Sequence, residues 1–221
     1  MADLEFYKSL KIDEFDPSNN GDDIDTNALI ESGILNNLLL PVRPYTAEVG
    51  GERYFKFFIK ATVDVITLGL DIASFTTSPT EEVYLFEAGS NTELESDLDK
   101  NNLRVYGGFL VTNYDKDNKK VTADRDISGF VKAGDTVTFY NADNTKLVSW
   151  TVDTVSGADI TFTEVSSDDV SNLKASSTIY IDALNANEYK GFWVKEVVSP
   201  FTEAMEDPAN EFVLNIWYDL K

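Results

Sequence analysis

The side chains able to do chemistry in this sequence are bounded first by two absences. Its 221 residues include neither His nor Cys, which removes imidazole acid–base catalysis, thiolate nucleophiles, disulfides and zinc sites built from those ligands. Carboxylates, hydroxyls, Lys, Tyr and backbone groups remain, and carboxylates dominate: 39 Asp and Glu against 18 Lys and Arg give a formal charge of −21. Three clusters invite inspection. Asp22, Asp23 and Asp25 in NNGDDID, and Asp115, Asp117 and Asn118 in NYDKDNKK, alternate oxygen ligands. Neither runs on into the glycine and distal bidentate Glu of a calcium-binding loop. The third, SSDDV at 166–170, has the composition of a helix N-terminus, where Asp accepts from exposed N–H groups. No metal and no cofactor is therefore expected. Two carboxylates would suffice for glycoside hydrolysis, but no spacing singles out a pair. Phosphate-cradling glycine loops, nucleophile elbows and metal-binding helix signatures are missing from the sequence. No catalytic residue is assigned, and an enzyme is not expected.

The aromatic residues offer binding rather than catalysis. Trp150, Trp193 and Trp217 would make a sugar-stacking platform on one exposed face, yet each sits inside an alternating run, where a large aromatic packs a core or an interface. Phe58, Trp193 and Trp217 share their faces with Lys56, Lys60 and Asn215. Mixed faces of this kind are expected to form an interface, with a homo-oligomer or another chain as the partner. The acidic charge opposes phosphate backbones and anionic lipid, so neither a nucleic-acid nor a membrane partner is expected. MADLEFYKSLKIDEF lacks a basic segment followed by an apolar one, and no later stretch has an uncharged membrane-spanning length. The expectation is a soluble chain without a general export signal.

The elements that would position these residues are strands. RYFKFFIKATV alternates Phe55, Phe57, Ile59 and Ala61 against Tyr54, Lys56, Phe58 and Lys60, the period of two of a half-buried strand. DVITLGLDI aligns Ile66, Leu68, Leu70 and Ile72, with Gly69 marking a bulge or a close approach. EEVYLFEAG, YKGFWVKEVV and EFVLNIWYD complete five runs, and the fold class they predict is all-β, an antiparallel β-sandwich of jelly-roll or immunoglobulin-like type. Helical periodicity is confined to TNALIESGILNNLL near the start and SDDVSNLK near residue 170.

Between the third and fourth runs of this pattern lies a series of shorter strands. LRVYGGFLVTNYD, KKVTADRD, DTVTFYNA, KLVSWTV, DITFTEV and STIYIDA are separated by turn chemistry at Asp117-Asn118, Ala133-Gly134-Asp135, Asn141 to Asn144 and Ser156-Gly157. They predict a small five- or six-stranded β-barrel inserted at 104–182, interrupting a discontinuous sandwich of 1–103 and 183–221. The acidic stretch EAGSNTELESDLDKNN reads as a solvated crossing into the barrel.

Phe6-Tyr7-Lys8-Ser9, Leu35-Asn36-Asn37-Leu38, GERYFKFFIKA, YKGFWVKEVVSP and NEFVLNIWYD occur in an order that resembles a group of tailed-phage virion structural proteins. In that group an F-Y-K-S opening precedes an N-N-L-like element and an E-Y-R-x-F-Y-V-K-N-type strand, and a W-V-[KR] strand precedes a closing F-x-L-x-[IV] strand. The likeness spans 1–103 and 183–221 and does not include the inserted barrel. It implies a structural component of the virion, decorating the capsid or belonging to the tail or its adaptor. The implied partners are other virion proteins, major capsid or tail proteins among them, and no catalytic residues carry over. A soluble carbohydrate- or receptor-binding β-sandwich module is the alternative reading.

Overall fold

The computed structural model describes residues 3–13, 16–31, 43–74, 81–201 and 213–221. The chain forms β1 (Leu4–Lys11), β2 (Gly21–Leu29), a short helix α1 (Pro44–Val49), β3 (Gly51–Ala61), β4 (Val65–Ser74) and β5 (Glu81–Glu87). It continues through β6 (Tyr106–Asp115), β7 (Lys120–Ala123), β8 (Thr136–Tyr140), β9 (Lys146–Ser156), β10 (Asp159–Phe162) and β11 (Lys174–Ser177). β12 (Ile179–Ile181), β13 (Tyr189–Val198) and β14 (Val213–Leu220) follow. The start of the segment TNALIESGILNNLL, expected to be helical, is instead the end of β2, and its residues 32 to 39, including Leu35-Asn36-Asn37-Leu38, lie outside those described.

The fold is all-β, with antiparallel sheets. One sheet runs β11-β8-β9-β10-β7-β6-β5-β13-β3-β1-β2, and a further β11–β6 pairing closes β6 to β11 into a six-stranded barrel. A second sheet, β12-β4-β14, faces the β5-β13-β3-β1 part of the first. Phe57, Ile59, Ala61, Phe192 and Val194 from one side meet Leu68, Leu70, Ile72, Ile179 and Ile181 from the other to make the sandwich core. Alternation places these residues inward, since successive side chains of a strand point to opposite faces. β12 belongs to this sandwich, not to the barrel as STIYIDA suggested, because Ile179 and Ile181 pair with Leu70 and Leu68. Its two isoleucines are thereby buried under the first sheet.

β3 departs from the half-buried reading. Its second face, with Tyr54, Lys56 and Phe58, is also buried. The chain between β5 and β6 folds back over it, so that Leu98, Leu103 and Val105 cover Tyr54, Phe86, Ala88 and Trp193.

The barrel has no lumen to offer a ligand. Phe109, Phe139, Trp150 and Phe162 fill it, with ring centroids 4.7 Å apart for Phe139–Trp150 and 5.2 Å for Trp150–Phe162. Barrels this small are filled by their inward side chains. SDDVSNLK forms a turn before β11, with Asp169 accepting from the Ser171 amide at 2.9 Å, in place of the expected helical turn. On β8, Thr138 and Tyr140 are buried as well as the inward Val137 and Phe139. The outer face of β8 is where the barrel meets the sandwich.

Candidate functional site

Two of the three residues assigned to an interface are inside the molecule. Phe58 and Trp193 are both 0 % exposed, which corrects their assignment as exposed apolar area for a partner. For Trp193 the physical reason is the covering chain from 88 to 105. Trp193 stacks on Phe86 with centroids 6.2 Å apart, and its indole N–H donates to Glu93 Oε2 at 2.9 Å. Phe58 packs edge-on to Tyr189. Trp217 is half-buried, edge-on to Tyr180 and with the Lys146 ammonium 4.0 Å above its ring. The three tryptophans thus occupy the barrel core, the covered face of β13 and the outer face of β14, and do not share a platform.

Lys56 holds the covering loop down. Its ammonium, in a residue 1 % exposed, donates to the carbonyls of Ser90 at 3.1 Å, Asn91 at 2.8 Å and Glu93 at 2.9 Å, beside the rings of Phe58 and Trp193. Burial lowers its pKa to about 8, against the raising influence of Glu93, Asp22, Asp23 and Asp97.

The acidic clusters are occupied with local structure. Asp22 pairs with Lys11 at 2.8 Å, Asp23 accepts from the Ile24 amide and Asp25 from the Asn27 amide. Asp115 accepts twice from Asn118, from its backbone and side-chain amides, in the β6–β7 turn. Among the described residues no three acids converge as a metal site would require.

The most concentrated buried polar chemistry lies where barrel and sandwich touch, and none of it was assigned from the sequence. Asp71, on β4, is 0 % exposed. Tyr140 of β8 donates to its Oδ1, and the Thr178 hydroxyl donates to Oδ2 at 3.1 Å. Burial raises the Asp71 pKa to about 6, although hydrogen bonds from Tyr140 and Thr178 and the charge of Lys146 pull it down. Beside it, the Ile72 amide donates to Ser176 Oγ at 3.2 Å and the Gly107 amide to Ser177 Oγ at 3.0 Å. The only hint in the sequence was polar residues at alternate positions of apolar strands, which period-two reading directs to solvent.

The surface has a separate apolar feature. Tyr45 and Val49, one turn apart on α1, are 73 % and 50 % exposed, and Phe201 is 83 % exposed. The Phe201 amide donates to the Glu48 carbonyl at 3.2 Å, which brings the three side chains to one end of the sandwich. A groove of about 400 Å³ between β5 and the covering chain is lined by Phe86, Glu93, Leu98 and Arg104, among others. Arg104 is engaged there with Asp135 and with the carbonyls of Val105 and Phe130. No protein-family model matches the chain, and no curated protein and no solved structure matches it.

Proposed function

We propose that the chain is a structural component of a tailed-phage virion, a capsid-decorating or tail- or adaptor-associated subunit that acts through protein–protein assembly. The observation that carries this reading is the pairing of the motifs on which the resemblance rests. Phe6-Tyr7-Lys8 lies directly opposite Phe57-Phe58-Ile59, and Trp193-Val194-Lys195 opposite Tyr54-Phe55-Lys56, on three adjacent strands of one sheet. Motifs far apart in the chain thus form one hydrogen-bonded unit, as expected if they define a common sandwich. The solid barrel fits a role in shape and contact.

In this reading the exposed Tyr45, Val49 and Phe201 contact a second copy or another virion protein, because large apolar side chains grouped at a surface are typical of interfaces. The test is mass spectrometry of purified particles of the phage that encodes the chain. The expected result is the chain in many copies per particle. Its absence from intact particles, with the protein present only in the lysate, would reject the proposal.

A further inference from the structure

Asp71 lies on the sandwich side of the boundary with the barrel, and Tyr140, one of its hydroxyl donors, lies on the barrel side. The other, Thr178, is the single residue linking β11 of the barrel to β12 of the sandwich. The Thr178 hydroxyl is 2.9 Å from that of Thr138, and Thr138 is 2.9 Å from Ser149. Thr138 and Thr178 are buried, whereas Ser149 is half-buried. A chain of three hydroxyls therefore runs from the buried carboxylate toward the barrel surface.

Each link can be polarised in either direction, since a hydroxyl both donates and accepts. With Asp71 ionised, Thr178 donates to it, Thr138 donates to Thr178 and Ser149 donates to Thr138. With Asp71 protonated, the carboxyl donates to Thr178, and each hydroxyl turns to donate outward, ending with Ser149 donating to solvent. Tyr140 donates to the opposite carboxyl oxygen in both states. The protonated acid keeps every one of these groups partnered without a buried charge.

We propose that Asp71 and the Thr178–Thr138–Ser149 chain form a proton-sensitive latch between barrel and sandwich, tightened when Asp71 is protonated and loosened when it ionises. The charged and titratable groups facing it are few. Tyr140 from β8 has its ionisation pushed far up, chiefly by burial, and Tyr180 from β12 is also raised by burial. Lys146 from β9 is the facing cation, and Asn215 and Trp217 from β14 are neutral. Asp71, raised to about 6, is the group of this set that changes charge between pH 4 and 7. A raised acid pKa means that the closed junction holds the proton more tightly than the open one. Opening therefore increases up to about tenfold for each pH unit between the solution pKa and about 6, then levels off.

The experiment is amide hydrogen exchange of the full chain from pH 4.5 to 7.5, corrected for intrinsic exchange rates and read at Ile72, whose amide bonds across the junction to Ser176 Oγ. The wild-type opening constant is expected to be at least about tenfold larger at pH 6.5 than at pH 4.5, and flat over this range in Asp71→Asn. A flat wild-type profile, or the same slope in both proteins, would overturn the latch. Should Asp71→Asn fail to fold, the ¹³C carboxyl titration of Asp71 in the wild type decides: a midpoint above 5 supports the latch, and one at or below 4 rejects it.

Discussion

Lys56 shows how one residue can hold a layer of structure. Its ammonium replaces water for three loop carbonyls, and the aromatic faces of Phe58 and Trp193 complete its surroundings. Lys56→Met keeps the aliphatic stem but removes the ammonium donor from those carbonyls, and is expected to cost about 1–3 kcal/mol in urea unfolding at pH 7. Its pKa, lowered to about 8, adds a pH signature. Between pH 8 and the solution value of 10.5 the unfolded chain holds a proton that the native chain has released, so this contribution to stability rises with pH across that window. The wild type should show the alkaline rise and Lys56→Met should lack it. Gly69 is a second residue with an exacting role. A Cβ there would lie 2.2 Å from the Trp217 ring. Gly69→Ala must displace that ring from β4, at an expected cost of about 1–3 kcal/mol, measurable as a lower melting temperature.

Among the elements, the barrel is best able to satisfy itself. The β11–β6 pairing leaves it without a free edge, and its apolar cluster is drawn from its own strands and the loops between them, with Tyr84 of β5 the one described member from outside residues 105 to 175. A segment spanning 104–178 is therefore expected to fold alone, giving dispersed amide resonances and cooperative unfolding. A collapsed spectrum, with the whole chain stable, would show that the barrel needs Tyr84 and the Asp71 junction to complete its core. The boundary excludes β12, whose residues would carry buried isoleucines of the sandwich into the excised piece. At the opposite end of the large sheet, β2 ends the strand order with irregular pairing to β1 and with Asp22, Asp23 and Asp25. Bulges and charge of this kind discourage further strand addition at an edge.

At the scale of the whole molecule, a net charge of −21 makes copies of the chain repel one another unless apolar contact or a less acidic partner offsets it. The exposed cluster at Tyr45, Val49 and Phe201 is where such contact is expected. Tyr45→Ser combined with Phe201→Asn tests this with little risk to the fold, because Asn tolerates the positive φ of 62° that Phe201 adopts. The double variant should weaken self-association or particle binding about tenfold or more in sedimentation or co-assembly measurements. Its unfolding free energy should move by no more than about 0.5 kcal/mol, since both side chains point to water. Raising salt should strengthen self-association of the wild type by screening the repulsion.

The sequence by itself determined the all-β class and the presence of a small barrel between the strands of a sandwich. Those features follow from local rules: period-two alternation, turn residues such as Asn144 and Gly157, and the lack of sustained helical periodicity. The closeness flagged at Gly69 was legible for the same reason, because a strand glycine marks a place where something must approach. Only the tertiary structure decided which of two strand faces is wet. Phe58 and Trp193 lie on mixed faces that alternation alone assigns to the surface, yet both are buried, Trp193 beneath the chain from 88 to 105 that Lys56 pins there. Asp71 is the same case at the barrel junction: a polar residue in an alternating strand is directed to solvent unless another unit docks on that face. Such docking depends on contacts between residues about 70 and 107 positions apart, Asp71 with Tyr140 and with Thr178, and no pattern within a single strand encodes them.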